Sequence, residues 1–546
     1  MDSTVGFMSK ISAFCSAISQ LSSNSIDDLP PPYPSANGQL LRNMGNGLPT
    51  VLSKPQVAHI LEIYWMRFHD FVPILSRSRV NELFEPLWAA DGTETQSVPL
   101  IDGVIALCLK YMDSSGLNRR LLGLRWDQGD PSLAYFGRCV AATGRLAAFA
   151  EPSLDCVQCY VLMTLYLLDA GEHQSAYNMI GLALRIAQAL NLHHGLPGSD
   201  PGVQLAGRVW WTIIQLNFRC ARLLGRPVGV QLAETTCPIP LTDEFTYHTR
   251  TLTLTRATLA VTEALSRHPS CPHDDHAAQA EPRASALSAE VRILLEWRDQ
   301  ELRPIIRRPL HVDNKEAFEW FHLAAESSSS QVLYNVLLEL QYYDEIIGLH
   351  RPFICFPNGL LNSQHIPHAD AHATTSLNHA IATVNLTHRI MSMTDMLYGR
   401  SEVHQWLWNA LLTLIGFLMA YPFCIYAPTA RHHAQLALEI FSGADPRNVV
   451  AVRAADITRT LCSKVDSLVQ ILKSSGARVS SPTVDRQDIP RSNDSSAPSY
   501  PSSDALWSWA EMTNPDEWSA YSNEIAGVLA DFPDLPFDND GFFPLP

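Results

Sequence analysis

The chain has 546 residues, 46% of them hydrophobic, and a formal net charge of −16 from 39 Lys+Arg against 55 Asp+Glu. That length suits two or more domains or one large helical array with tails, and a mean hydropathy of −0.02 points to a soluble protein. The acidic balance repels nucleic-acid phosphates, and 11 scattered cysteines with no secretory signal read as reduced intracellular thiols.

Residues 1–55 read as a disordered or weakly helical lead-in: a weakly amphipathic start followed by a Ser, Pro, Gly and Asn-rich stretch. Order is expected from about Gln56, where Ile60, Ile63, Tyr64, Phe68 and Phe71 recur at helical spacing up to a breaker at Pro73. Helices are expected next at about Leu100–Tyr111 and Leu133–Phe149.

The organising stretch is 151–240. Ser153 and Asp155 open a helix whose inward face is Leu154, Val157, Val161, Leu165 and Leu168. Gly171 permits a short turn. Ala176, Ile180, Ala183, Leu184, Ala187 and Leu190 then form a second stripe, with Gly181 and Ala183 small enough for a neighbouring helix to approach closely. A third helix brings Trp210, Trp211, Ile214 and Phe218 and stops at Gly225 and Pro227, setting large rings opposite small residues.

Further helices are expected at Leu254–Leu265, Ser285–Trp297, Ala317–His322, Val332–Leu349, Ser376–Met391, Trp406–Ala427 and Asn448–Leu472. No run alternates with period two, so the fold class is all-α, an irregular array of αα-hairpins. A Ser/Pro linker covers 473–505. The tail beyond it has no Lys or Arg, and its acids interleave with Trp507, Trp509, Trp518, Tyr521, Phe532, Phe537 and Phe542. Acids keep such rings solvated and free to dock in a partner's groove, so 506–546 reads as an acidic-aromatic activation segment with those seven residues binding coactivator. A tail folded back on its own domain is the alternative.

Metal and catalytic readings are weak. Cys156 and Cys159 form a lone CxxC in an apolar helix, without the further cysteines a binuclear zinc cluster needs, and read as core thiols. The loop from His268 to His276, and the trio His365, His368 and His372, hold metal-capable groups with no fixed ligand set. Catalytic motifs such as the nucleophile elbow, the zincin helix and the phosphate-binding loops are missing. Arg185, Arg219, Arg222 and Arg226 lie on or beside core helices. Arg185 and Arg222 are candidates for an effector pocket, with pairing to acids such as Asp169 and Glu172 as the structural reading. Trp406–Ala427 carries no formal charge and is long enough to span a bilayer, but Asn409 and Pro422 favour a buried helix broken at Pro422.

The blocks VAHILEIYWMRFHDFVPILSRSRV, EPSLDCVQCYVLMTLYLL, QSAYNMIGLALRIAQALNLHHG and RVWWTIIQLNFRCARLLGRPVGV follow one another in fixed order. Their succession resembles the fungal-specific transcription factor domain, the regulatory middle region of fungal binuclear zinc-cluster and xylanolytic-activator-type regulators. The resemblance covers roughly residues 56–310, with the LHRPF at Leu349–Phe353 similar to a segment that often follows. It leaves 311–472 as a continuing helical region packed on that domain. It implies an all-α domain that modulates transcription in the nucleus, with Trp210, Trp211 and Gly225-Arg226-Pro227 structural. Such regulators begin with a six-cysteine DNA-binding module, whereas here Cys15 alone lies in the first hundred residues. The chain is therefore expected to act without contacting DNA itself, or to have lost a first exon, and zinc is expected only with such a module.

The expected function is a pathway-specific transcriptional regulator and activator, as in secondary-metabolite control, with coactivators or a DNA-bound factor as partners, no membrane association, no cofactor and no catalysis. A homo- or heterodimer is compatible with the sequence. The alternatives are a helical enzyme or small-molecule binder using a pocket near Arg185 and Arg222, and a membrane-associated protein using Trp406–Ala427.

Overall fold

The computed structural model describes residues 3–21, 52–89, 94, 96–115, 130–149, 151–195, 198, 200–241, 245–267, 276–302, 329–356, 367–444 and 448–479. Among them the regular structure is helical, with one isolated antiparallel bridge between Trp88 and Glu94. The tail rings Trp507, Trp509, Trp518, Tyr521, Phe532, Phe537 and Phe542 lie outside the described residues, as do 268–275, His365 and 317–322.

The first helix, α1 (Thr4–Leu21), departs from the lead-in expectation: Phe7, Met8, Ile11 and Cys15 are buried in the main core. The apolar positions 4 and 7 apart along this short stretch were legible, but the helices they pack on, at Pro201–Leu224 and Ser401–Ala420, lie far along the chain. Helix α2 (Lys54–Arg67) starts where the Ser53 amide donates to Gln56 Oε1 at 2.8 Å, one half of a capping box. It ends well ahead of Pro73, because the amides of Phe71 and Val72 turn back onto the Phe68 carbonyl at 3.0 and 2.8 Å. Helix α3 (Arg77–Phe84) follows, then α4 (Pro99–Ser115) and α5 (Pro131–Phe149), which pack side by side.

Helices α6 (Leu154–Asp169) and α7 (His173–Ala189) form the expected hairpin. Ser153 caps α6 by accepting from the Cys156 amide at 3.2 Å, and Gly171 takes φ 74° in the turn, a region L side chains avoid. Helix α8 (Pro201–Leu224) is capped by Asp200, which accepts from the Gly202 and Val203 amides, and ends at Gly225 with φ 68°. Trp210 is fully buried and Trp211 nearly so. Helices α7 and α8 pack together, and Ala176, Ala183 and Ala187 are fully buried; Gly181 instead faces open space, so its expected close approach does not occur.

The second half begins with α9 (Thr246–Ser266). The single helix expected at Ser285–Trp297 is two, α10 (His276–Glu290) and α11 (Arg292–Glu301), parted at Val291. Helices α12 (Ser329–His350) and α13 (Pro367–Met393) pack on α14 (Ser401–Ala420), and α15 (Ala427–Ser442) and α16 (Val449–Val479) close that side. Helix α14 ends just before Pro422 as expected. By length and composition it could cross a membrane, yet 89% of its most apolar 18-residue window is buried inside the fold, so its apolar surface is already covered by protein.

Candidate functional site

Helices α8, α9, α12 and α14 converge with the α2–α3 turn around a cavity of about 130 Å³. Its polar lining comes from positions that are out of place on their own helices. Gln341, Asp344 and Glu345 sit in the largely apolar α12, and Gln405 and Asn409 sit four apart on the apolar α14, where a helix brings them to one face. Arg219 and Arg222 approach from α8, Arg400 from the α13–α14 connection, and Thr4 from α1. Phe68, Phe71, Tyr111, Tyr247 and Trp406 supply rings.

Arg222 is the hub. It pairs with both Asp344 and Glu345, and its Nη2 also donates to the Asp344 carbonyl oxygen at 3.0 Å. A Cβ on Gly348 would stand 3.0 Å from the Arg222 Cζ, so this glycine lets the guanidinium lie on α12. The network continues outward: Asn409 Nδ2 donates to Asp344 Oδ1 at 2.7 Å, and Thr4 Oγ1 donates to Asn409 Oδ1 at 2.7 Å. A single chain of polar contacts thus ties α1 to α14, α12 and α8. Burial disfavours the charged guanidinium, but Glu345 and Asp344 more than offset it and hold the Arg222 pKa above its usual value. Burial pushes the Glu345 carboxyl up to about 7, with Arg222 pulling the other way. Two acids share one cation here, and protonating Glu345 relieves the excess.

The other cations are held differently. Arg400 Nη2 donates to the Arg67 carbonyl at 3.1 Å, its guanidinium lies 3.8 Å over the Phe71 ring, and Glu402 is 4.0 Å from its Nη1. Arg219 donates from Nε and Nη2 to one amide oxygen, Gln405 Oε1, at 2.9 and 2.6 Å.

The two arginines proposed for an effector pocket part company. Arg222 is buried on the cavity, whereas Arg185 is exposed on α7 and does not line it. Arg222's partners are Asp344 and Glu345, not Asp169 or Glu172, because α8 turns that face toward α12. Cys156 and Cys159 are buried thiols; a hydrogen bond with Cys139 and burial raise the Cys159 pKa well above its ordinary value. His368 pairs with Glu281, and His372 meets His350 at 2.9 Å between Nδ1 atoms and the Ala284 carbonyl at 2.8 Å. Among the described residues no group of three or more His, Cys, Asp or Glu could hold a metal ion.

Asp344, Glu345, Gln405, Asn409 and Thr4 were not singled out as a site from sequence. The signal that could have found them is the charge or amide interrupting a greasy helix, which is expensive unless satisfied.

Residues 61–274 match the fungal specific transcription factor domain. The chain carries this domain. The match runs from within α2 to residue 274, so it takes in Arg219, Arg222 and the hairpin of α6 and α7, while Thr4 and helices α10–α16 fall outside it. Similar proteins extend further. The terreic acid cluster-specific transcription factor of Aspergillus terreus is 25% identical over 503 residues, 84% of this chain and 73% of its own. A transcription factor of Emericella nidulans is 26% identical over 76% of this chain and 79% of its own. The oosporein cluster regulator of Beauveria bassiana is 25% identical over 71% of this chain and 59% of its own. The fungal transcription factor domain makes the protein a transcriptional regulator, as the block order in the sequence led one to expect.

Proposed function

We propose that the protein is a pathway-specific regulator that works in the nucleus and controls a cluster of secondary-metabolite genes. The observation that carries this reading is that relatives named as cluster regulators align over 84% and 71% of the chain, far beyond the matched domain. In this reading the helical body is regulatory and not catalytic. Its surface and the network around Arg222 set its shape, and the acidic-aromatic segment at 506–546 contacts coactivators. The net charge of −16 repels nucleic-acid phosphates overall. Promoter contact comes from a DNA-bound partner factor or from a module outside this sequence.

Deleting the gene and profiling transcripts tests the reading. A contiguous block of biosynthetic genes should lose expression and recover when the gene is restored. A deletion strain whose clustered biosynthetic genes are all unchanged under producing conditions would sink it.

A further inference from the structure

The central cavity has the make-up of a ligand site. An empty cavity in a folded protein is normally apolar, since buried polar groups are costly unless partnered. This one, of about 130 Å³, is lined by both aromatic rings and charged side chains. Its charges are not all settled among themselves. Arg222 takes Asp344 and Glu345, and Arg400 stacks on Phe71 with Glu402 beside it. Arg219, by contrast, ends on the neutral amide oxygen of Gln405, with no carboxylate within ion-pair distance among the described residues. A guanidinium has five donors in a planar fork that suits a carboxylate, and only Nε and Nη2 are engaged here.

We propose that this cavity is an effector site for a compact carboxylic acid bearing a single ring, with its carboxylate on Arg219 and its ring among Phe71, Tyr247 and Trp406. Size caps the ring count at one, because benzene takes a cavity of roughly 150 Å³ and this one, partly open, is about 130 Å³. Charge sets the number of carboxylates. Asp169 and Glu402 also line the cavity, and a second anionic group on the ligand would face them. Thr4 forms part of the wall, so α1 closes one side of the site and a bound acid would hold the N-terminal helix in place. The role as effector rests on the regulatory reading above, whereas binding itself does not.

The test uses the purified full chain and benzoate as probe, with benzamide and phthalate for comparison, read by thermal shift and titration calorimetry. Benzoate should raise the melting temperature in a concentration-dependent way, with benzamide and phthalate binding at least roughly tenfold more weakly. Arg219→Gln should weaken benzoate roughly ten- to a hundredfold while Arg219→Lys retains part of the affinity, and Arg185→Gln should match the wild type. Unchanged melting temperatures of Arg219→Gln and Arg219→Lys in the absence of benzoate would separate lost binding from lost folding. No shift with benzoate at about 10 mM, equal binding of benzamide, or undiminished binding by Arg219→Gln would overturn the proposal. Benzoate binding in a protein whose deletion leaves all transcripts unchanged would keep the site and remove its regulatory role.

Discussion

Substituting Gly416 by Ala offers a sharp test of how α1 is seated. Gly416 lies inside α14, directly under the Phe7 ring, and a Cβ there would overlap the end of that ring, with Ile11 Cδ1 3.6 Å away. The ring cannot step aside easily. It is fully buried, the Arg351 guanidinium stands 4.9 Å over it, and Phe356 lies 5.9 Å away. Two effects compete. Replacing a helix-interior glycine by alanine stabilises by about 1 kcal/mol, while overpacking a filled core costs about 1–3 kcal/mol. Gly416→Ala alone should therefore be neutral to destabilising by about 2 kcal/mol. Phe7→Ala alone should cost up to about 3–5 kcal/mol, less if α1 detaches before the rest of the fold opens. In the Phe7→Ala background the clash is gone, and Gly416→Ala should then stabilise by about 1 kcal/mol. The coupling is the overpacking term itself, about 1–3 kcal/mol, read from urea unfolding of the four proteins in the cycle. If Gly416→Ala stabilises by the same amount in both backgrounds, α1 does not sit on α14.

Arg222→Met should cost about 3–5 kcal/mol at pH 8, where it strands two carboxylates, and less at pH 6, where Glu345 takes up a proton; equal losses at both pH values would contradict the triad. From these four groups the wild type should lose stability above pH 6.5 and below pH 4.5. Glu345 and Glu339 are raised by burial from 4.5 to about 7, so the stability they contribute is full below 4.5 and lost as pH rises through 7. His372 and His379 are lowered by burial from 6.5 to about 4, so their contribution is full above 6.5 and lost as pH falls toward 4. The two pairs oppose each other between pH 4.5 and 6.5, so the histidines are read in a Glu339→Gln/Glu345→Gln background, where the urea midpoint should fall from pH 6.5 to 4.5; a flat midpoint there would refute the histidine assignment. Fusing residues 480–546 to a neutral DNA-binding domain should activate a reporter, and exchanging Trp518 and Phe532 for Ala should lower that output several-fold; a silent fusion would remove the activation reading.

Most of the helical frame could be read from the chain because its signals are local. Ser153, Gly171 and Gly225 mark helix ends by hydrogen bonds and backbone angles that depend on a few neighbours. The apolar stripes of α6–α8 needed only a 3.6-residue period. Long-range pairing is another matter. Thr4 finds Asn409 and Arg222 finds Asp344, and no property of either segment names the other. The same limit explains Arg185 and Arg222, which lie on α7 and α8 but end in different surroundings. Composition alone also failed for α1, where a polar, Ser-rich flank masked four buried side chains, Phe7, Met8, Ile11 and Cys15.

The regulatory claim is tested most directly at the promoters. Chromatin immunoprecipitation of the tagged full-length protein, expressed from its own locus under producing conditions, should recover the promoters of the same contiguous genes whose transcripts fall on deletion. Enrichment at those promoters is the predicted result; a tagged, functional protein that occupies none of them while their transcripts still depend on it would contradict action at the genes themselves.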